Sequence, residues 1–145
     1  MRAVVDTSVL DTSVLVAAVR SAKGASREIL RMVLDGEFKP LVSVPLVLEY
    51  EAVLTRPEHL PTSLDAQANL AIVKAFCLLG EPVHVAHRLR PQLIDPDDEF
   101  VLEAAYHGKA QAIITLNRRD FLLAARRFGI ETLGPGEALE RFKHP

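Results

Sequence analysis

The stretch Asp95-Pro96-Asp97-Asp98 opens directly into the apolar-periodic run Phe100-Val101-Leu102-Glu103-Ala104-Ala105, so an acidic knot stands at the start of a helix. Carboxylates this close repel one another unless something positive sits among them. A helix N-terminus offsets part of that repulsion through its unpaired N–H groups and dipole. A divalent cation offsets far more. Taken alone the stretch also reads as an ordinary helix start with Asp97 or Asp98 as N-cap. Acids at matching places elsewhere in the chain decide between the two readings.

The N-terminal residues Met1-Arg2-Ala3-Val4-Val5 begin a β-branched apolar strand that turns helix-compatible by Val14-Leu15-Val16. Within it Asp-Thr-Ser-Val-Leu occurs twice, at 6–10 and 11–15. Five residues are too few for a structural repeat, so this is a tandem duplication or a sequence-record error. Only one of Asp6 and Asp11 can occupy a given strand-terminal site. If Asp6 holds it, the inserted residues turn the following helix by about 140°, at ~100° per residue. If Asp11 holds it, they only lengthen the outer end of the strand, the cheaper accommodation. Ala3-Val4-Val5, on the other hand, is a better central strand than Thr7-Ser8-Val9-Leu10.

Further on, a helix is expected from an N-cap Ser26 to Gly36, a strand over 38–43, and a helix opening at Ser43-Val44-Pro45 with Leu46, Val47, Tyr50, Val53 and Leu54 as its buried stripe. Glu49 lies beside that stripe and Glu51 points elsewhere. A loop with Pro57 and Pro61 precedes a helix from Leu64 to Leu79 ending at Gly80, and Cys77 in its apolar pattern reads as a small buried hydrophobe. Short strands follow at Pro82–Val85, Ala112–Thr115 and Ile130–Leu133, with a polar turn Leu116-Asn117-Arg118-Arg119-Asp120 into another helix and a short C-terminal helix after Gly134-Pro135-Gly136. His84 and His87 are poor metal ligands for an extended segment.

About five short strands alternating with helices predict one α/β domain over residues 1–145 with a largely parallel sheet. In such sheets functional groups gather beyond the carboxyl ends of the strands. Asp6 or Asp11, Glu49, Asp95–Asp98, and Asn117 with Asp120 all follow strands and so fall on one edge. Carboxylates without lysine partners make an oxygen-only site, suited to Mg²⁺ or Mn²⁺. Such ions activate water and stabilise in-line phosphoryl displacement, which makes phosphodiester hydrolysis the natural reaction. The chain lacks a phosphate loop, a Gly-x-Gly-x-x-Gly turn and a Gly-x-Ser-x-Gly nucleophile. A phosphatase built on a strand-terminal Asp would need a catalytic lysine, for which Lys109 is poorly placed.

The formal charge of −2 argues against nucleic-acid binding by bulk electrostatics. Local patches exist at Arg118-Arg119, Arg126-Arg127, and Arg88 with Arg90. Apolar runs are too short to span a bilayer and no leader pattern opens the chain, so a soluble cytoplasmic protein is expected.

In order, Asp-Thr-Ser-Val-Leu-Val at the first strand, Ser43-Val44-Pro45-Leu46-Val47-Leu48-Glu49-Tyr50, Asp95-Pro96-Asp97-Asp98 with Phe100-Val101-Leu102, and Ile113-Ile114-Thr115-Leu116-Asn117-Arg118-Arg119-Asp120-Phe121 resemble the four motifs of the PIN-domain family. Each motif is weak alone; four at compatible spacing are specific. The resemblance implies a Rossmann-like three-layer α/β/α sandwich and a metal-dependent ribonuclease, here the toxin of a toxin–antitoxin pair, with RNA as substrate, an antitoxin as partner and a homodimer as assembly. It further implies that Asp11 (or Asp6), Glu49 and Asp98 hold Mg²⁺ or Mn²⁺. Asn117 stands where many members carry aspartate, and Asp120 is placed to substitute. Arg118 would engage phosphate, and Thr12 or Ser13 (Thr7 or Ser8 in the other copy) would bond a carboxylate or phosphate. The alternative is a catalytically weak module of the same fold that binds RNA or a protein.

Overall fold

A strand β1 (Ser8–Leu10) leads into helices α1 (Thr12–Arg20) and α2 (Ala25–Leu34); β2 (Leu41–Val42) leads into α3 (Val44–Leu54) and α4 (Ser63–Leu79). After β3 (Glu81–Pro82), a 3-10 turn at Pro96–Asp98 opens α5 (Glu99–His107), followed by β4 (Ala112–Ile114), α6 (Arg118–Arg127), β5 (Glu131–Leu133) and α7 (Pro135–Lys143). This computed structural model describes residues 7–56, 63–86, 92–93 and 95–143. Asp6, Pro57, Pro61, His87, Arg88 and Arg90, each singled out above, lie outside them.

Every strand pairing is parallel. β4 stands between β1 and β5, with Val9 opposite Ile113 and Ile113 opposite Thr132, and β2 pairs with β3. Among the described residues the ladders form a three-stranded sheet β1-β4-β5 and a two-stranded sheet β2-β3, and β2 packs beside β1, giving the spatial order β3-β2-β1-β4-β5. The expected α/β sandwich with five parallel strands is thus the fold found. From β1 the chain first winds to one side, through β2 and β3, and then crosses back to place β4 on the other. The crevice between the ends of β1 and β4 is therefore the switch point at which open α/β sheets place their ligands.

The sheet is buried as parallel sheets are: Val9, Ala112, Ile113 and Ile114 are inaccessible to solvent. Helix α5 lies across β1, β2 and β4 and meets them with Val101, Leu102, Ala104 and Ala105. Helix α3 begins where Ser43 Oγ accepts the Leu46 N–H at 3.2 Å, with Pro45 in the first turn, as Ser43-Val44-Pro45 predicts. Its stripe Leu46, Tyr50, Val53 and Leu54 is buried, Tyr50 meeting Phe76 of α4 edge-on at 5.9 Å.

Three expectations change. The cap of α2 is Gly24, at φ +107°, and Ser26 sits inside the helix: the Glu28 N–H bonds the Gly24 carbonyl, so the helix starts a turn-half earlier than the serine suggests. Cys77 is exposed, because α4 turns Val73 and Phe76 inward and leaves Cys77 and Leu78 on the outer side. The strands expected at 38–43 and 82–85 shrink to Leu41–Val42 and Glu81–Pro82, joined where the Glu81 and Val83 N–H groups donate to the Pro40 and Val42 carbonyls.

Two packing details have consequences. The Ser8 hydroxyl in β1 is fully buried without a hydrogen-bond partner among the described residues. At Gly80, between α4 and β3, a Cβ would stand 2.7 Å from the Phe76 carbonyl oxygen and 2.9 Å from Val42 Cγ2. Gly80→Ala is accordingly expected to destabilise by about 1–3 kcal/mol in urea denaturation, the usual cost of overpacking.

Candidate active site

A cavity of about 410 Å³ opens at the switch point, lined by Asp11, Glu49, Asp95, Asp98 and Asn117 together with Thr12, Ser13, Arg20 and Arg56. Four of the sequence-predicted residues, Asp11, Glu49, Asp98 and Asn117, thus share one space. Asp120 does not line it; it is exposed in the first turn of α6, its N–H on the Asn117 carbonyl at 3.0 Å. Arg118 does not line it either, and pairs with Glu137 at 2.6 Å.

Asp11 is the fixed point. It follows β1 directly, its N–H donates to Ile114 O of β4, and its side chain is 3% exposed. Both Ser13 Oγ, at 2.6 Å, and Thr115 Oγ1, at 2.7 Å, donate to its Oδ2. Those hydroxyls in turn accept backbone N–H groups, Ser13 from Leu116 and Thr115 from Asn117. The carboxylate is thereby tied to the chain leaving β4 on the far side of the crevice. Burial raises the Asp11 pKa above the ordinary carboxylate value; its hydrogen bonds to Ser13 and Thr115 and to the Thr12 and Ser13 amides only partly oppose this. Beneath it the Tyr50 hydroxyl donates to Leu10 O, and burial together with the Asp11 charge holds the phenol well above its usual range.

Glu49 reaches the cavity from the second turn of α3, half-buried beside the stripe as its spacing predicts. Asp98 is the N-cap of α5 yet makes no side-chain capping bond. The acidic knot therefore does more than start a helix: Asp95 and Asp98 both line the cavity. Sequence reasoning passed over two residues that build this region. Thr115 is signalled by a hydroxyl closing an otherwise apolar strand. Glu99, next to Asp98, is buried with Oε1 accepting the Gln92 and Leu93 N–H groups at 2.7 and 2.5 Å, pinning the segment that leads to Asp95.

Every acidic or amide donor around the cavity is oxygen, and no lysine, histidine or cysteine among the described residues lines it. That chemistry fits a hard divalent cation. The carboxylates surround the space without converging: among the described residues no three His, Cys, Asp or Glu side chains stand close enough to enclose an ion.

A parallel α/β sheet with an acid-lined crevice at its switch point defines the class. Residues 4–119 match the PIN domain family, and the chain belongs to it. The fold is similar to that of a chain in the crystal structure of DNA-bound VapBC from Salmonella typhimurium, at a TM-score of 0.60 and 18% identity, over 89% of this chain and 98% of that one. No curated protein matches the chain. None of the helices among the described residues is long and apolar enough to cross a membrane.

Proposed function

We propose that this protein is a Mg²⁺- or Mn²⁺-dependent endoribonuclease, the toxin of a toxin–antitoxin pair, cutting RNA phosphodiester bonds in the cavity at the end of β1 and β4. The observation that carries this reading is the buried Asp11, held by Ser13 and Thr115 and sharing one cavity with Glu49, Asp95 and Asp98. A carboxylate that is buried yet lines a cavity with three other acids supports a site for a positive ligand.

Asp11, Glu49 and Asp98 would hold the metal, with Asn117 completing the set or orienting the attacking water. When bound, the ion lowers the pKa of water and stabilises charge on the phosphoryl oxygens. The Ser13 and Thr115 hydroxyls fix the Asp11 oxygen, and Thr12 offers a further hydroxyl at the cavity wall. Asp120 is left as a more distant candidate. Val44 and Leu48 on α3 and Leu78 on α4 are 74%, 59% and 84% exposed, which supports coverage by an antitoxin or a second copy of the chain. The fold neighbour, described as a DNA-bound VapBC assembly, supports such a partner. We further propose that such an activity on RNA is cytoplasmic.

Asn117, and the spacing of the acids, favour a second reading: a weakly catalytic module that binds RNA or protein. Titration of Mn²⁺ into the protein with single-stranded RNA separates them. Cleavage that rises with metal and stops with EDTA is expected, and Asn117→Asp, by adding a ligand charge, is expected to lower the half-saturating metal concentration by about tenfold. RNA that is bound but left intact across the whole metal range would establish the binding module instead.

A further inference from the structure

The geometry points to Arg20 as the residue that holds an RNA phosphate beside the one being cut, so that the substrate is engaged as a strand and not as a single linkage. This rests on the ribonuclease reading above.

The cavity is a trough along two helices. From α1 it is lined by Ser13, Val16, Ala17 and Arg20, the three-to-four spacing of one helix face. From α3 and the residues that follow, it is lined by Glu49, Val53 and Arg56. Along each the acid or hydroxyl that meets the carboxylate cluster comes first and the arginine follows seven residues later. Seven residues of α1 at a rise of ~1.5 Å place Arg20 about 10 Å along the helix from Ser13. That backbone offset, two helical turns from the carboxylate cluster, suits a neighbouring phosphate on the same strand. Between the two ends the α1 wall is Val16 and Ala17, which offer no competing charge.

Arg20 is also available. It is exposed, and among the described residues it has no hydrogen-bond or ion-pair partner. Arg118, the sequence-based candidate for phosphate, is committed to Glu137. Electrostatics point the same way. Four carboxylates line the trough with two arginines; the guanidinium groups offset part of that charge, and a bound divalent ion would offset the rest, so that a polyanionic strand could enter.

The test is a double-mutant cycle with the full chain and Mn²⁺, on a single-stranded RNA oligonucleotide that the wild type cleaves. Arg20→Ala is expected to raise KM about tenfold with kcat within about twofold, Arg20→Lys to recover most of the loss, and Arg118→Ala to change neither. Replacing one flanking phosphate at a time by a neutral methylphosphonate should find one position that raises KM similarly in the wild type and not at all in Arg20→Ala. In EDTA, fluorescence anisotropy of the same oligonucleotide should show the salt slope of binding reduced by about 0.7 in Arg20→Ala, the value for one single-strand phosphate contact. An unchanged KM in Arg20→Ala, or losses that multiply at every methylphosphonate position, would overturn the assignment while leaving the ribonuclease intact. A wild type that cleaves no RNA at any metal concentration would overturn both.

Discussion

Asp11→Asn is expected to reduce metal-dependent RNA cleavage by at least about a hundredfold while making the folded protein more stable at neutral pH. The first effect follows from losing a charged ligand: a bound metal supplies several kcal/mol of transition-state charge stabilisation, and each 1.4 kcal/mol is about tenfold in rate. The second follows from burial. Asp11 has a raised pKa, so the native state favours its protonated form. The stability contributed by that proton is fully present below the ordinary carboxylate range and is lost as pH rises through the raised value. An asparagine carries no such loss, and its carbonyl can still accept from Ser13 and Thr115. The stability gap between variant and wild type should therefore be small in acid and widen toward neutral pH. Thermal melts in EDTA at several pH values measure it, at roughly 3 °C per kcal/mol. A variant that melts below the wild type at neutral pH would show that Asp11 is structural and would remove the central support for a metal site.

Phe76→Ala is expected to cost about 3–5 kcal/mol, enough to threaten folding, and Phe76→Leu about 1–2 kcal/mol. Phe76 is fully buried, its ring packs edge-on to Tyr50, and that contact fixes α4 against α3. The consequence reaches the site through two residues. Tyr50 secures Leu10 O, immediately before Asp11, and Glu49 precedes Tyr50 on the same helix. In the leucine variant, where the chain stays folded, metal affinity should fall along with stability. Urea denaturation and Mn²⁺ titration of the same sample check both. An unchanged metal affinity would mean that α3 is held in place without this ring.

The fold was legible because its signals were periodic and redundant. Ser43 and Pro45 mark one end of α3 and Leu46, Tyr50 and Val53 mark its buried side, so no single residue had to be right. The acids were legible because strand alternation alone places them on one edge. What stayed hidden depends on atoms rather than spacing. Whether an arginine lines a trough or pairs across the surface, as Arg20 and Arg118 respectively do, is set by side chains distant in sequence, Glu137 in the second case. The exposure of Cys77 turns on the rotation of α4 about its axis, which its nearly all-round apolar sequence leaves open. Gly24 outcompeted Ser26 as a cap because backbone freedom, not side-chain chemistry, decided where α2 begins.

The buried hydroxyl of Ser8 bears on the repeated pentapeptide. Among the described residues this buried oxygen in β1 has no hydrogen-bond partner, and it belongs to the first copy of the repeated pentapeptide. The second Asp-Thr-Ser-Val-Leu supplies Asp11, Ser13, Val14 and Leu15 to the crevice and the core, whereas the first supplies Ser8, Val9 and Leu10 to β1. Excising residues 6–10 would bring Ala3, Val4 and Val5 into those same three places, removing the stranded hydroxyl and leaving every residue from Asp11 onward unaltered. Such a chain would keep the crevice residues and carry the more β-branched run Ala3-Val4-Val5 before them. The two copies, offset by five residues, thus put the same residue types to different uses, the first in β1 and the second in the crevice and α1.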